Sequence, residues 1–230
     1  MAFSDEFTTG PLNAGWTKVD PANSGTTITV AGGALHWVSG SAYTDMVAWK
    51  ADAVRLVQPA AGDFDVTIDA GRNPGNNFDA IGLYVDDATT GNFQSVHAYF
   101  DEQWNVAPAT ATSKNDGVLS EQRLENLSPE IGLGRYQRLK LQNTTLSWFV
   151  SADGATWTQM WSGDWSGGAA QRVGIVVAQD RVVTWDIAYF RHAAPPGAET
   201  PGAADCRVRV SATWVPARTR TRVGGAWLPA

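Results

Sequence analysis

The sequence LSWFVSADGATWTQM, residues 146–160, predicts a β-hairpin and thereby decides the fold class. Its two arms, LSWFVS and TWTQM, alternate apolar and polar residues with the period of two that a half-buried strand shows. Asp153-Gly154 lies between the arms and is a strong hairpin signal, because both residue types tolerate the backbone of a tight β-turn. The chain is therefore expected to contain antiparallel strands.

Other short runs, rich in β-branched and aromatic residues and separated by turn residues, extend this prediction over most of the chain. The predicted strands are Thr26 to Val30, Ala34 to Val38, Phe64 to Ala70, Ile81 to Val85, Val96 to Phe100, Tyr136 to Gln142, Leu146 to Ser151, Arg172 to Ala178 and Val182 to Phe190. One segment, Leu119 to Leu127, has a leucine spacing compatible with one or two helical turns. The expected fold is all-β: an antiparallel two-sheet β-sandwich (jelly roll) with a short C-terminal β-type extension.

Composition and charge exclude several classes of protein. The 230 residues contain no apolar run long enough to span a membrane. The N-terminal residues MAFSDEFTTG show no signal peptide. The single cysteine, Cys206, excludes an internal disulfide framework and a cysteine-based zinc site. A net charge of -6 argues against nucleic-acid binding, which favours a basic face.

The chain divides into a body and a tail of opposite charge. Residues 1–192 form the expected sandwich, residues 193–206 a linker rich in Pro, Gly and Ala, and residues 207–230 a two-copy repeat. Residues 207–217 and 220–230 share six of eleven positions. Residues 206–230 hold five arginines and no acid, whereas residues 1–205 hold 12 basic and 23 acidic residues, a net of -11. The tail is therefore expected to dock to a partner through Arg207, Arg209, Trp214, Arg220, Arg222 and Trp227.

Two stretches resemble known families. The motifs Phe3-Ser-Asp-Glu-Phe7, Gly62-Asp-Phe-Asp-Val66 and Trp148-Phe-Val-Ser-Ala-Asp-Gly-Ala-Thr-Trp157 resemble the concanavalin A-like lectin/glucanase superfamily, which includes laminin G-like modules. This resemblance implies a jelly roll but no single function, because the superfamily includes lectins, hydrolases and structural modules. The segment Arg222 to Leu228 resembles the closing repeats of minor tail proteins of phages that infect actinobacteria, which implies a virion protein.

Catalytic motifs are absent from the sequence. Glucanases of the resembled superfamily carry Glu-x-Asp-x-x-Glu, and this chain has no such strand. The neighbouring acids Asp5-Glu6, Asp86-Asp87 and Asp101-Glu102 are adjacent in sequence, so that the two members of each pair point to opposite faces of a strand. Carboxylates from different strands can still converge. No Gly-x-Ser-x-Gly elbow is present. We therefore expect no enzymatic activity and assign no catalytic residue.

Aromatic and polar residues suggest a ligand-binding surface instead. VHAYFDEQW places His97, Tyr99 and Asp101 on one strand face, with Trp104 just beyond, a combination that suits a sugar ring. The alternative is a solvated outer face with one packed Trp. Trp161 and Trp165 are expected to form a loop platform for a ligand or a subunit. The tryptophans expected in the core are Trp16, Trp37, Trp148, Trp157 and Trp185.

No cofactor and no metal site are predicted. Asp86-Asp87 with Asn92, and Asn76-Asn77 with Asp79, offer the oxygen ligands that Ca²⁺ prefers. These residue types are also the commonest in turns, so the sequence does not support a calcium site over ordinary turns.

The sequence thus predicts a non-enzymatic, lectin-like minor tail protein of a phage, located in the virion. Its expected partners are host-surface glycan and other virion tail proteins, in a homo-oligomer or larger assembly, with no nucleic acid and no membrane insertion. One alternative is a purely structural or decorating virion subunit without ligand. A second alternative is a glycoside hydrolase or a free-standing bacterial carbohydrate-binding protein.

Overall fold

The computed structural model shows an all-β protein, which confirms the predicted fold class. It describes residues 3–40, 52–72, 80–99, 107–115, 118–127, 134–165, 167–168, 171–178 and 182–193, and the strands of the tail. The chain divides into two compact units, Met1–Pro195 and Pro196–Ala230. Among the described residues, no helix has the length and apolar character needed to cross a membrane.

The first unit consists of strands joined by turns and loops. Its strands are β1 (Thr17–Val19), β2 (Thr27–Ala31), β3 (Ala34–Val38), β4 (Val54–Pro59), β5 (Phe64–Asp69), β6 (Ala80–Asp87), β7 (Phe93–Tyr99), β8 (Ala107–Asn115), β9 (Val118–Leu127), β10 (Tyr136–Gln142), β11 (Thr145–Ser151), β12 (Thr158–Asp164), β13 (Gln171–Ala178), β14 (Thr184–Ile187) and β15 (Tyr189–His192).

Antiparallel pairing arranges these strands into three sheets. The largest has seven strands in the order β1-β4-β13-β6-β7-β8-β9. A five-stranded sheet has the order β12-β11-β10-β5-β15, and a three-stranded sheet has the order β14-β3-β2. One hydrophobic cluster draws side chains from all three sheets, so the seven-stranded sheet packs against the two smaller ones in a sandwich.

Alternation along the strands decides which side chains enter this core. In β5, Phe64, Val66 and Ile68 are buried in the core, as their spacing predicts. The predicted hairpin is also confirmed: β11 pairs antiparallel with β12, and Gly154 in the connecting loop has a φ of 73°. Glycine adopts this left-handed backbone conformation readily, because it has no Cβ that would clash.

Two segments differ from the prediction. The run Val182 to Phe190 forms two strands in different sheets, because the chain changes sheet at Ala188, whose N–H donates to the carbonyl of Asp69 at 2.9 Å. Leu119 to Leu127 lies in strand β9 and not in helical turns. Its pairing with β8 satisfies the backbone groups that a helix would have bonded internally.

The second unit contains two β-hairpins. Strand β16 (Arg207–Val210) pairs with β17 (Thr213–Pro216), and β18 (Arg220–Val223) pairs with β19 (Ala226–Pro229). The two hairpins pair equivalent positions of the sequence repeat: Arg209 lies opposite Trp214 in the first, and Arg222 lies opposite Trp227 in the second. The docking role of the tail stays a prediction.

Candidate functional site

The outer face of the seven-stranded sheet carries a second cluster of buried side chains. In β6, Ile81, Leu83 and Val85 face the sandwich core, so Tyr84 and Asp86 face outward. Tyr84 shares this cluster with apolar residues from β4 and the residue before it, from β6 itself, and from β7 and β13: Ala53, Val57, Ala80, Phe93, Val176 and Ala178. A solvated outer face would leave such side chains exposed, and here they are buried.

Register brings charged residues from three strands together at this cluster. Asp86 in β6 lies directly opposite Arg172 in β13. Arg55 in β4 lies opposite Val176, two positions further along β13 from Gly174, the residue opposite Tyr84. Side chains that point outward from neighbouring positions of adjacent strands are close enough to touch. The three charged residues therefore converge on Tyr84.

Hydrogen bonds join these four residues into a chain. Arg172 binds Asp86 bidentately, with Nε donating to Oδ1 at 2.8 Å and Nη2 donating to Oδ2. The Tyr84 hydroxyl donates to Asp86 Oδ2 at 3.2 Å and accepts from Arg55 Nη1 at 3.0 Å. Burial raises the pKa of the Tyr84 hydroxyl well above its usual value, so the hydroxyl stays protonated even in alkaline solution.

A cavity of about 280 Å³ opens over this chain of hydrogen bonds. Its lining includes Tyr84 and Phe93, whose rings stack with centroids 5.5 Å apart. Its lining residues are Pro21, Arg55, Tyr84, Asp86, Ala88, Gly91, Phe93 and Arg172. We call this cavity the β6 cleft. It combines an apolar aromatic wall with a few convergent polar groups, the usual composition of a small-molecule site.

Two glycines on the same outer face hold the strands around the cleft close together. A Cβ at Gly174 would lie 2.0 Å from the carbonyl oxygen of Leu56, and a Cβ at Gly82 would lie 2.1 Å from that of Val96. Residues larger than glycine would push the neighbouring strands away. Gly174 lies opposite Tyr84, so the close approach is at the centre of the site.

Of the predicted sugar patch, His97 lies on β7, on the same outer face as the β6 cleft. His97 is opposite Gly82 and is 3% exposed, so its imidazole does not form part of the protein surface. Ser95 Oγ lies 3.3 Å from its Nδ1, and burial lowers its pKa to about 4. Tyr99 ends the strand, whereas Asp101 and Trp104 lie outside the described residues. The ligand-binding role of this patch stays a prediction.

The predicted tryptophan platform lies on β12 and just after it. Trp161 is partly buried against the core and donates from Nε1 to Gln122 Oε1 at 3.2 Å. Trp165 is buried in the core, with Nε1 donating to Gln171 Oε1 at 3.1 Å. Conversely Trp157, expected in the core, is only partly buried, because it precedes β12 in the hairpin loop. The other four tryptophans expected in the core are buried there.

The outer face of the five-stranded sheet is polar and carries three of the ion pairs of the described residues. Arg138 binds Asp65 and Arg135 binds Asp69, both bidentately. At the edge strand, Arg191 binds Glu6 in the same way. A second cavity, of about 340 Å³, lies on this face and is lined by Lys140, Gln142, Asn143, Thr145, Ser147, Phe149 and Gln159. None of the three carboxylates lines this cavity.

The candidate calcium ligands have protein partners in the structure. Asp86 is bound by Arg172, and Asp87 Oδ1 accepts the N–H of Thr89 at 2.8 Å. Asn92 Nδ2 donates to Asn115 Oδ1 at 3.2 Å. Residues 76–79 lie outside the described part of the chain. Within that described part, no group of three or more His, Cys, Asp or Glu side chains is arranged to hold a metal ion.

Comparison with known proteins identifies the fold through solved structures. No family model matches the sequence, and no curated protein matches it. A glycoside hydrolase family 43 protein from Bacillus licheniformis is 17% identical, with a TM-score of 0.61, over 83% of this chain and 39% of that one. A functionally unknown protein from Saccharomyces cerevisiae is 12% identical, with a TM-score of 0.58, over 79% of this chain and 97% of that one.

A third structure, a glycoside hydrolase family 16 protein from Bacteroides ovatus in complex with a product, is 9% identical, with a TM-score of 0.50. It covers 83% of this chain and 99% of that one. The chain spans about two fifths of the length of the family 43 protein. Together these similarities define the class of fold: a glucanase-like jelly-roll β-sandwich.

These neighbours correct two predictions. The expected non-enzymatic, lectin-like phage minor tail protein is contradicted, because the family 43 and family 16 structures are glycoside hydrolases and give no support to a phage protein. The expected absence of enzymatic activity is contradicted by the same finding. The missing Glu-x-Asp-x-x-Glu strand is too narrow a criterion, because a sheet face can gather polar groups from separate strands, as the β6 cleft gathers Arg55, Asp86 and Arg172.

Proposed function

We propose that this chain is the β-sandwich part of a carbohydrate-active enzyme of the glycoside hydrolase type, and that it binds a glycan in the β6 cleft. The observation that carries this proposal is the chain of hydrogen bonds Arg55–Tyr84–Asp86–Arg172 along the wall of an open cavity. Desolvated, connected charges in a cleft are a recognised mark of functional sites.

The chemistry of the cleft suits a sugar. A pyranose ring has apolar C–H faces and a rim of hydroxyls that both donate and accept hydrogen bonds. The lining of the cleft includes the Phe93 ring, which suits the C–H face, and the oxygens of Asp86, which suit hydroxyl donors. Arg172 lies beside Asp86 and supplies donors. Such a small number of placed polar groups in an aromatic-lined cleft fixes the orientation of a ligand.

Hydrolysis requires a second carboxyl group. Glycoside hydrolases use two, about 5–9.5 Å apart depending on mechanism. Of the described residues that line the β6 cleft, Asp86 is the one carboxylate. We propose Asp101 for the second role; it follows Tyr99 by two positions in the sequence and lies outside the described residues. The short length of the match to the family 43 protein is compatible with this chain being one module of a larger enzyme.

The test measures glycan binding by calorimetry on a panel of neutral and acidic oligosaccharides, with release of reducing ends as a second readout. The Asp86→Asn variant keeps the side-chain shape and removes the charge, so we expect binding to weaken about tenfold or more. The matched control is Asp65→Asn, which changes a similar bidentate pair on the other outer face. We expect it to bind like the unmodified protein.

Two results would contradict the proposal. One is failure of the folded protein to bind any oligosaccharide of the panel. The other is an equal loss of affinity in Asp86→Asn and Asp65→Asn, which would report general destabilisation and not a site. Thermal unfolding of both variants establishes that each is folded at the temperature of the binding measurement.

A further inference from the structure

The cavity of about 340 Å³ on the outer face of the five-stranded sheet is formed by three neighbouring strands, β10, β11 and β12. In β10, Leu139 and Leu141 are buried in the core, so Lys140 and Gln142 face outward and line the cavity. Phe149 follows the same alternation on β11 and is half-buried. We call this cavity the β11 cavity. Its volume lies within the range of small-molecule sites.

A β-bulge places an amide beside the aromatic ring of the β11 cavity. Trp148 in β11 lies opposite Trp161 in β12. The next residue, Phe149, lies opposite Gln159, so Met160 is an extra residue on β12. Met160 and Trp161 are both partly buried against the core. The bulge lets these two neighbours pack inward and returns Gln159 to the outer face, and bulges often redirect a side chain in this way beside functional sites.

The polar side chains of the β11 cavity can be reached by a ligand. Gln142, Thr145 and Gln159 are exposed, and Lys140 is half-buried. Within the described part of the chain, these four side chains make no hydrogen bond or ion pair with other residues. A carboxamide both donates and accepts hydrogen bonds, as a sugar hydroxyl does. The cavity therefore combines an aromatic ring with accessible groups that match sugar hydroxyls.

The turn that connects β10 and β11 is held in place by a distant residue. Asn143 in this turn lines the cavity and has a left-handed backbone, with a φ of 56°. Its N–H donates to Oδ1 of Asp63, 80 residues earlier in the chain, at 2.8 Å. Residues on a turn that is fixed in this way lose little further freedom when a ligand binds.

The charges around the β11 cavity favour a neutral ligand. Lys140 is the one charged residue among the described residues that line it. Asp65 lies opposite Lys140 on β5 and is bound by Arg138. Asp63 holds the turn, and Asp164 lies opposite a lining residue of β11. Three carboxylates thus accompany two cations, so an anionic ligand would find no excess of positive charge.

We propose that the β11 cavity is a second carbohydrate-binding site, which takes a neutral oligosaccharide without hydrolysing it. A sugar ring lies against Phe149, and its hydroxyls bind the side chains of Gln142 and Gln159. None of the described lining residues is a carboxylate, whereas glycoside hydrolysis uses two. The β11 cavity and the β6 cleft lie on opposite outer faces of the sandwich, so this second site goes beyond the proposed function and does not depend on it.

The experiment titrates neutral hexasaccharides, of β-1,4-linked glucose, β-1,4-linked xylose and β-1,3-linked glucose, into the full chain by calorimetry. The Asp86→Asn variant is the starting protein, because its β6 cleft is weakened and the remaining binding reports the β11 cavity. Adding Phe149→Ala is expected to weaken this binding about tenfold, as loss of an aromatic anchor does. Adding Phe149→Tyr, which keeps the ring, is expected to leave it within about threefold.

The matched control is Tyr189→Ala, which removes another half-buried aromatic ring from the outer face of the same sheet. Tyr189 lies on β15, at the opposite edge of the sheet from β12, and the Arg191 guanidinium covers its ring. We expect this variant to bind as the starting protein does. Equal weakening by Tyr189→Ala and Phe149→Ala would report general destabilisation and would overturn the second site.

A second variant tests the amide without removing a ring. Gln159 is exposed, so Gln159→Ala is expected to leave the melting temperature unchanged. Its loss should weaken binding about threefold to tenfold, the range for one hydrogen bond. Unchanged affinity in both Gln159→Ala and Phe149→Ala would show that the β11 cavity binds no sugar.

The failures of this second site and of the proposed function are distinguishable. Binding that depends on Asp86 and not on Phe149 would overturn the second site and leave the proposed function standing. Binding that depends on Phe149 and not on Asp86 would do the reverse. Tighter Phe149-dependent binding of oligoglucuronate than of every neutral probe would overturn the neutral ligand. If no probe binds and Phe149→Ala converts a dimer into a monomer in sedimentation, the cavity is a contact between copies of the chain, which also overturns the site.

Discussion

Replacing Arg172 by Met is expected to lower the free energy of unfolding by about 3 kcal/mol, because it leaves the Asp86 carboxylate buried without its counter-ion. The Asp86 side chain is 6% exposed and receives two hydrogen bonds from Arg172. The Tyr84 hydroxyl remains as its one described donor. Urea unfolding at neutral pH, followed by tryptophan fluorescence, measures the loss.

The matched control for this prediction is Arg191→Met. Arg191 binds Glu6 with the same bidentate geometry, but the two side chains are 53% and 50% exposed. Solvent screens such a pair, so its removal should cost about 1 kcal/mol or less. Equal losses in the two variants would mean that the burial of Asp86 does not matter energetically. That result would remove the electrostatic basis of the proposed site.

Acidification from pH 7 to pH 4 is expected to reduce stability by about 3 kcal/mol through His97 alone. Burial lowers the pKa of His97 in the folded protein from 6.5 to about 4. Below pH 6.5 the unfolded chain takes up a proton that the folded protein does not, so the free energy of unfolding falls with pH. The loss is complete near pH 4, where the folded state also begins to bind the proton.

The measurement is urea unfolding at a series of pH values for the unmodified protein and His97→Gln. The variant should lack this part of the pH dependence, whatever its stability at pH 7. His36 gives a control of opposite sign, because Asp186 and the carbonyl of Ala31 raise its pKa. Its contribution is present below pH 6.5 and is lost as the pH rises through the raised value. Parallel pH curves for the unmodified protein and His97→Gln would show that His97 titrates normally.

The sandwich could be predicted from local patterns because those patterns are themselves the cause of the fold. The alternation of Phe64, Val66 and Ile68 places them on one strand face, and the core confirms it. Ala188 shows the limit of such reasoning. Nothing in the run Val182 to Phe190 marks the change of sheet, which depends on the distant carbonyl of Asp69.

The β6 cleft was not predictable in the same way. Arg55, Tyr84 and Arg172 belong to three strands that are far apart in sequence, and their convergence depends on the register of β4, β13 and β6. The sequence did single out Asp86, as a turn or calcium residue. It also singled out the β7 face that borders the cleft. The sequence does not show that Arg172 lies opposite Asp86 on the neighbouring strand. Such a neighbour decides whether a polar side chain is solvated or belongs to a site.

The most direct test of the central claim, that the outer face of the seven-stranded sheet binds glycan, is a crystal structure of the chain with a bound oligosaccharide. We expect a sugar ring in the β6 cleft, against Phe93 and between Arg55 and Arg172. A ring bound instead on the outer face of the five-stranded sheet, in the cavity beside Lys140 and Phe149, with the β6 cleft empty, would contradict the claim.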